Sequence, residues 1–333
     1  MHREIVIEKF GPPSNLVIRP AEPRSPAAGE VRIDVAYSGV NFSDVAMRLG
    51  LYPDAPRRPF VPGYEISGTI AEVGPDVTAV AVGDQVMAGT YFGGYASTVT
   101  VPANQVFRIP AGMDLAAGAA LPVAFFTARL AIGEMARVRA GDRVLIECAT
   151  GGVGTITAQL AQHAGAHVTG LTTTPAKKAF LAKRDMTPYT VEEFRADESL
   201  RGYDLVVNAS GGRNITWQRK RLGLTGRIVC LGGSSGVQDG KRSLVRVAAL
   251  IAGTPRISVL RLFGDNTGVY ALNALHVLRD TEWVTRLTQS MATIAETNVR
   301  PHIGGVFAAD EVAAAHTVLA AKQATGKLLL DWR

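Results

Sequence analysis

The sequence predicts an α/β protein with two domains, one rich in β-strands and one built on a doubly wound parallel sheet. With 333 residues the chain is long for a single hydrophobic core, and its 47% hydrophobic and 19% charged residues are typical of a folded globular protein. Residues 1–110 are rich in glycine and proline and break into short runs, whereas from Arg143 onward apolar strands alternate with helical segments. This change of pattern indicates two domains of different architecture.

The first part of the chain consists of short strands at close spacing. Turn residues separate them, and this pattern predicts an antiparallel barrel or sandwich. The strand-like runs are REIVIEKF, LVIRPAE, EVRIDVAYSGVN, ISGTIAEVG, GDQVMAG and YASTVTVPANQVFRIP. From Leu115 the chain becomes alanine-rich and helical.

The second part has nearly continuous apolar strands, as expected when helices cover both faces of a parallel sheet. These strands are RVLIEC, HVTGLT, TPYT, DLVVNAS and RIVCLGG. After them the pattern predicts helices at 270–279, 285–295 and 310–322, a strand GGVF and a final strand KLLLDW. We expect this tail to pack on the N-terminal domain.

Charge and cysteine content narrow the class of protein. The formal net charge is +6, partly concentrated in WQRKRLGLTGR and GKRSLVR, without the interleaved aromatic residues of a nucleic-acid surface. These segments predict a solvated basic face or, alternatively, one that attracts acidic or phosphorylated partners. Cys148 and Cys230 lie in apolar runs and are expected to be buried.

The chain shows no targeting or membrane signal. No apolar run approaches the roughly 20 residues of a membrane helix, and MHREIVIEKFG differs from a signal peptide. We therefore expect a cytoplasmic protein without membrane insertion.

The stretch ATGGVGTITAQLA, at 149–161, lies between the RVLIEC strand and a helical segment. Gly151, Gly152 and Gly154 would allow a pyrophosphate to approach backbone N–H groups at the start of the helix. Thr157 takes the third position of the Rossmann fingerprint, where glycine or alanine is usual, and affects only how closely the helix packs. The context predicts a dinucleotide-binding loop, with a ligand-free glycine turn as the alternative.

The end of the next strand distinguishes NADP from NAD. HVTGLT continues into TTPAKKAF, which supplies Thr173, Thr174, Lys177 and Lys178 but no acidic residue for a ribose 2′-hydroxyl. The segment favours NADPH. For Lys178, a solvated helix start is the alternative interpretation.

Together these residues resemble a known family. VNFSDVAMRLGLYP, PGYEISGTIAEVG, VGDQVMA, LPVAFFTARLAI and the glycine loop are similar to the zinc-free quinone oxidoreductase division of the medium-chain dehydrogenases/reductases. GKRSLVRVAALIAGTPRISVLRLFGDNTGVYALNALHVL is most similar to its vesicle amine transport protein-like branch, and the first half also resembles enoyl reductase domains of polyketide and fatty-acid synthases. The resemblance implies a GroES-like catalytic domain (1–122 and 269–333), a Rossmann NADPH-binding domain (123–268) and a homodimer.

The resemblance also implies roles for individual residues. Lys177 and Thr173 would contact the 2′-phosphate, with Tyr189 beside them and Lys322 where relatives commonly have arginine. Thr127 and Asn41 would lie at the nicotinamide ribose and the reacting end. The remaining residues implied in cofactor binding are Gly151, Gly152, Val153, Gly154, Asn208 and Gly232.

Zinc is the point at which the chain departs from the alcohol dehydrogenases of this superfamily. Where those enzymes carry a cysteine motif and a GHE motif, this chain has SGVNFSD and GYE, which place Asn41 and Tyr64 at these positions. Neither residue replaces a cysteine and imidazole set, so we expect a metal-free protein.

Hydride transfer without a Lewis acid favours a conjugated acceptor, since an enolate or hydroquinone anion delocalises its charge. We expect NADPH-dependent reduction of a quinone or an activated C=C bond. Tyr52 matches a tyrosine that enoyl reductases are thought to use for proton donation, although an aromatic wall of an apolar pocket is an equal alternative. Asp44 is expected to be structural, with Arg48 as its candidate partner.

Two other functions remain open at the level of sequence. The protein could be an enoyl reductase that acts on CoA-bound or carrier-bound intermediates and docks an acidic acyl carrier protein through its basic face. It could instead bind NADPH with little turnover.

Overall fold

The computed structural model describes residues 2–237, 240–292 and 294–333. The chain divides into two compact units. We call residues 1–123, 238–242 and 275–333 the β-rich unit, and residues 124–237 and 243–274 the parallel-sheet unit. One unit is built on a mostly antiparallel sheet and the other on a parallel one, which confirms the predicted fold class.

The described chain contains fifteen β-strands and thirteen α-helices. The strands are β1 (Arg3–Ile7), β2 (Leu16–Pro20), β3 (Glu30–Val40), β4 (Glu65–Val73), β5 (Gln85–Gly89), β6 (Thr98–Pro102), β7 (Val106–Arg108), β8 (Arg143–Ile146), β9 (His167–Thr172), β10 (Thr187–Thr190), β11 (Tyr203–Asn208), β12 (Leu222–Cys230), β13 (Gly268–Ala271), β14 (Ile303–Ala308) and β15 (Lys327–Asp331). The α-helices are α1 (Phe42–Arg48), α2 (Leu115–Ala119), α3 (Pro122–Arg129), α4 (Gly152–His163), α5 (Lys178–Ala182), α6 (Val191–Ala196), α7 (Arg213–Arg219), α8 (Leu244–Gly253), α9 (Val259–Asp265), α10 (Ala274–Val277), α11 (Thr281–Ala292), α12 (Ile294–Thr297) and α13 (Val312–Ala320). None of these helices, in the part of the chain described, combines the length and apolar character needed to cross a bilayer.

The β-rich unit is held together by a seven-stranded sheet. Its order is β14-β15-β3-β4-β5-β7, with β6 paired to β3 and with β1 and β2 forming a separate antiparallel pair. The C-terminal strand β15 pairs antiparallel with β3, so that Leu328 lies opposite Val40. This pairing confirms that the tail packs on the N-terminal part, and it brings Lys327 beside the residue that follows β3.

The parallel-sheet unit has the strand order β10-β9-β8-β11-β12-β13. Five of these strands lie where the apolar runs predict them. The sixth, β13, corrects the sequence analysis, because Tyr270 and Ala271 pair with β12 and do not begin a helix at 270–279. The run GVYA is too short for its periodicity to distinguish a strand from a helix, and the open edge of β12 supplies its hydrogen-bond partners.

The basic segment WQRKR is mostly structural, which corrects the prediction of a solvated basic face there. Arg221 is 7% exposed and donates to the carbonyl oxygens of Asp197 and Arg195 at 2.8 and 2.9 Å. Arg219 pairs with Asp265 at 3.4 Å. These guanidinium groups satisfy backbone carbonyls and a carboxylate within the unit, and of the segment's cations only Lys220 is exposed.

Candidate functional site

The glycine loop connects β8 to α4 in the parallel-sheet unit. Gly151 caps the helix without a side chain, and the first turn of α4 contains no acidic residue. A Cβ on Gly154 would lie 2.4 Å from the Cys148 carbonyl oxygen and 2.8 Å from Ala149 Cα, so only glycine allows the helix to start this close to the strand. The uncapped N–H groups of such a helix start are chemically suited to bind a phosphate.

Thr157, the unusual third residue of the fingerprint, is accommodated inside the helix. Its side chain is fully buried, and its hydroxyl donates to the Val153 carbonyl oxygen at 2.7 Å. The hydroxyl is therefore satisfied within α4, and the loop keeps its form despite the substitution.

The other cofactor residues suggested for this unit lie at the carboxyl edge of the same sheet or on the adjoining strand. Thr173 follows β9, Tyr189 lies on β10, Asn208 ends β11 and Gly232 follows β12. Ligands of doubly wound proteins bind outside the carboxyl ends of the strands. Thr127 is half-buried on α3 of this unit.

The two lysines after β9 have different surroundings. Lys178 Nζ forms an ion pair with Glu193 Oε2 at 2.9 Å, while the nearby Thr173 is exposed. Lys177 is half-buried, and burial lowers its pKa while the neighbouring Cys148 opposes that shift. Lys177 therefore brings a partly desolvated cation to this edge, whereas the charge of Lys178 is partly neutralised by Glu193.

Sequence reasoning missed Glu147, a buried carboxylate between β8 and the glycine loop. Its Oε2 accepts hydrogen bonds from the backbone N–H groups of Ala209 and Ser210, both at 3.0 Å. Asn208 Nδ2 also donates to it at 3.1 Å and to Gln218 Oε1 at 2.7 Å. Glu147 thus ties the loops after β8 and β11 together, and Asn208 takes part in that network. A lone acidic residue ending an apolar strand was the available signal.

Neither cysteine is fully buried, as both were expected to be. Cys148 is exposed and has a φ of 56°, because the chain turns away from the sheet edge at this residue, so the prediction that it is buried is wrong. Cys230 is half-buried, and burial together with Glu147 raises its pKa to about 11. A thiol of that pKa is protonated at neutral pH and therefore a poor nucleophile.

In the β-rich unit, Asn41 joins β3 to α1 and is held from two sides. Its Nδ2 donates to Glu65 Oε1 at 2.9 Å, and its Oδ1 accepts from Lys327 Nζ at 2.5 Å. Lys327 also forms an ion pair with Glu65, and all three side chains are buried. The amide orientation is therefore fixed, which leaves one N–H and one lone pair of Asn41 for other contacts. Neither Glu65 nor Lys327 was singled out from the sequence.

A second buried network supports Asn41 through its backbone. Asp44 Oδ2 accepts from the Asn41 N–H at 2.7 Å and from the Tyr95 hydroxyl at 3.1 Å, and Tyr95 Oη also bonds to His316 Nε2 at 3.2 Å. Burial raises the pKa of Asp44 to about 7. Burial, with a contribution from Arg48, lowers the pKa of His316 to about 3.

Asp44 is structural, as expected, but Arg48 does not serve as its partner. The Arg48 guanidinium donates to the carbonyl oxygens of Gly11 and Gly240, the latter at 3.3 Å. Burial lowers its pKa to about 10. Arg48 therefore connects segments distant in sequence within the β-rich unit.

Two tyrosines lie side by side in this unit. The rings of Tyr52 and Tyr64 have centroids 6.3 Å apart, and Tyr52 is half-buried. Burial raises the pKa of both phenols, so both are neutral at physiological pH.

Within the described residues, no group of three His, Cys, Asp or Glu side chains is placed to hold a metal ion. Lys322 is exposed after α13, with a φ of 57°.

Comparison with known proteins agrees with this architecture. Residues 27–111 match the alcohol dehydrogenase GroES-like domain, and residues 183–330 match the zinc-binding dehydrogenase family. The synaptic vesicle membrane protein VAT-1 homolog of Rattus norvegicus is 30% identical over 320 residues, which cover 94% of this chain and 79% of that protein.

Two solved structures have the same fold over the whole chain. Mycobacterial Rv1454c complexed with NADPH has a TM-score of 0.85 and 25% identity, with 100% of both chains covered. The CurK enoyl reductase has a TM-score of 0.81 and 26% identity, with 99% of both chains covered. The chain belongs to the medium-chain dehydrogenase/reductase superfamily, in the quinone oxidoreductase division that includes the VAT-1 homologues.

Proposed function

We propose that the protein is a zinc-independent, NADPH-dependent oxidoreductase that delivers hydride to a quinone or to an activated C=C bond. The observation that carries this proposal is the character of the zinc-ligand positions. Asn41 is locked between Glu65 and Lys327, and Tyr64 is a neutral phenol beside Tyr52. Such a site offers hydrogen-bond donors in place of a Lewis acid, and it suits acceptors that delocalise the charge they gain.

The residues at the edge of the parallel sheet fit NADPH. The N–H groups at Gly151, Gly152, Val153 and Gly154 would hold the pyrophosphate. Thr173 and Lys177, with Tyr189 beside them, would bind the 2′-phosphate, and the bound NADPH of Rv1454c supports this choice of cofactor.

We assign the remaining contacts to the cofactor from the resemblance to the family. When bound, the cofactor supplies the hydride. The other residues assigned to it are Asn41, Thr127, Asn208, Gly232 and Lys322.

Tyr52 would supply the proton that completes reduction of a C=C bond. Hydride addition at the β-carbon moves the π electrons toward the carbonyl and makes an enolate, whose α-carbon then takes a proton. A phenol whose pKa is raised by burial remains protonated and can serve as the donor. Water then reprotonates Tyr52.

Enoyl thioesters are a second substrate class, favoured by the likeness to the CurK enoyl reductase. Two of the arginines that made a basic docking face plausible, Arg219 and Arg221, are committed inside the parallel-sheet unit. Lys241, Arg242 and Arg246 of GKRSLVR, in contrast, are exposed, so docking of an acidic carrier protein there would make the rate with carrier-bound thioesters fall as salt is added.

The test is NADPH oxidation with 1,4-naphthoquinone, 2-cyclohexenone, crotonyl-CoA and cyclohexanone. We expect turnover with at least one of the first three and none with cyclohexanone, because an isolated ketone has no conjugation to spread its charge. Turnover of cyclohexanone alone would contradict the proposal. NADPH binding without turnover of any acceptor would favour a non-catalytic binding protein.

We also propose that two copies form a homodimer through the parallel-sheet unit. Within the described residues, β13 is the outer strand of its sheet, and α8 and α9 expose Val245, Leu260 and Phe263, the last at 82%. Pairing of two such edges would cover both the strand and the apolar surface.

Light scattering on a sizing column tests the dimer. The expected mass is that of two chains for the natural protein and of one chain for Phe263→Asp. Val82→Asp is the matched control, since Val82 is also exposed but lies in the β-rich unit. A monomeric natural protein would refute the dimer.

A further inference from the structure

The hydroxyl group of Tyr64 is a buried polar group of the β-rich unit. The residue is 7% exposed, and among the described residues its Oη is buried without a hydrogen-bond partner. Its backbone is fixed, because the Thr90 N–H donates to the Tyr64 carbonyl oxygen at 2.7 Å. Buried hydroxyl groups in proteins are almost always hydrogen-bonded, so an orphan at a fixed position points to a missing partner.

The surroundings of Tyr64 are aromatic. Its ring centroid lies 6.3 Å from that of Tyr52 and 5.2 Å from that of Phe92, which in turn packs edge-on against Phe60 at 6.3 Å. The two phenols influence each other's pKa, yet their geometry does not complete a hydrogen bond. The orphan hydroxyl therefore lies beside the residue assigned to proton donation, against apolar rings.

The adjacent carboxylate does not take this hydroxyl. Glu65 is occupied by Lys327, by Asn41 and, at 2.8 Å, by the Val123 N–H. Burial keeps the pKa of Tyr64 well above its ordinary value, so the phenol stays protonated and can donate a hydrogen bond. Near apolar rings, a neutral hydrogen-bond donor can stabilise an oxygen atom that gains negative charge during the reaction.

We propose that Tyr64 is a second substrate-binding residue, whose hydroxyl donates a hydrogen bond to the carbonyl or quinone oxygen of the acceptor. This inference rests on the proposed function. As hydride from NADPH forms the new C–H bond, the C=C π bond breaks and charge moves to that oxygen. Tyr64 keeps its proton throughout, whereas Tyr52 gives its proton to the α-carbon of an enone.

The test uses p-nitrophenolate, a stable anion that imitates the enolate oxygen, with nitrobenzene as the uncharged probe of similar shape. Tyr64→Phe keeps the ring and removes only an unpartnered hydroxyl, so the variant is expected to fold and to bind NADPH normally. We expect the dissociation constant for p-nitrophenolate to rise about ten- to hundredfold, as for loss of a hydrogen bond to a charged group, with little change for nitrobenzene.

Tyr91→Phe is the matched control. Tyr91 packs edge-on against the same Phe92 ring at 5.3 Å, and its hydroxyl bonds to Arg279. We expect this variant to bind p-nitrophenolate as the natural protein does.

Two outcomes overturn the inference: equal p-nitrophenolate affinity in Tyr64→Phe and the natural protein, or no binding by either. If p-nitrophenolate binding depends on Tyr64 while no acceptor is reduced, Tyr64 binds an anionic oxygen but the proposed function fails. If acceptors are reduced and Tyr64→Phe changes neither p-nitrophenolate binding nor kcat, the proposed function stands and this inference fails.

Discussion

Replacing Lys177 by alanine separates NADPH from NADH. Lys177 is half-buried after β9, in a segment without an acidic residue, and burial lowers its pKa. Its removal takes away one charge-assisted hydrogen bond to a 2′-phosphate, worth about 1.5–3 kcal/mol. Since about 1.4 kcal/mol corresponds to a factor of ten, the dissociation constant for NADPH is expected to rise about ten- to hundredfold.

NADH lacks the 2′-phosphate, and its dissociation constant should change less than about threefold. Both constants are measured by titration calorimetry on the same preparations. Lys178→Ala is the matched control, because Lys178 is paired with Glu193 at 2.9 Å and should contribute little. An equal loss for NADPH and NADH, or a larger NADPH effect from Lys178→Ala, would refute the reasoning.

Four further expectations follow from other parts of the molecule. Tyr52→Phe should lower kcat for 2-cyclohexenone by about a hundredfold or more while sparing 1,4-naphthoquinone, whose oxygens take protons from water; an unchanged rate with the enone would remove the proton-donor role. Gly154→Ala should lower the free energy of unfolding by about 1–3 kcal/mol and weaken NADPH binding, since the added Cβ would clash with backbone atoms. A Cβ added at Gly264 has no atom within 4 Å, so Gly264→Ala should be neutral or stabilising in the same denaturant titrations. Burial holds His316 neutral and lowers its pKa from 6.5 to about 3. The free energy of unfolding should therefore fall by about 1.4 kcal/mol per pH unit as the pH drops from 6.5 toward 3, because only the unfolded chain takes up the proton. In His316→Gln this loss should be absent, and parallel curves of stability against pH for the two proteins would contradict the assignment. Elemental analysis should find no stoichiometric zinc, and its presence would overturn the expectation of a metal-free protein.

The positions of five strands along the parallel-sheet unit could be predicted from the sequence, because each of them contains a continuous apolar run. The runs RVLIEC and HVTGLT became β8 and β9 at their expected positions. The GVYA strand could not be predicted from the sequence, because it forms by pairing with the open edge of β12. The glycine loop was recognisable because glycines at the start of a helix have few other uses.

The polar networks could not be read from the sequence in the same way. Lys327 meets Asn41 only because β15 pairs with β3, which joins residues separated by almost the whole chain. Glu147 stands alone in an apolar stretch and Tyr64 precedes Glu65 in PGYEI, and the importance of each comes from the hydrogen bonds that it makes or lacks in the fold. Arg221 appeared to be a surface charge because sequence spacing does not reveal which carbonyl oxygens a guanidinium can reach.

The position of hydride transfer tests the central claim most directly. NADPH that carries deuterium at the transferred position is supplied with 2-cyclohexenone, and the product is examined by NMR spectroscopy and mass spectrometry. If 2-cyclohexenone is reduced, the proposed chemistry requires cyclohexanone with deuterium at the carbon β to the carbonyl. Deuterium on the carbinol carbon of 2-cyclohexenol would mean that the carbonyl group itself is reduced, and it would contradict the assignment of a conjugate reductase.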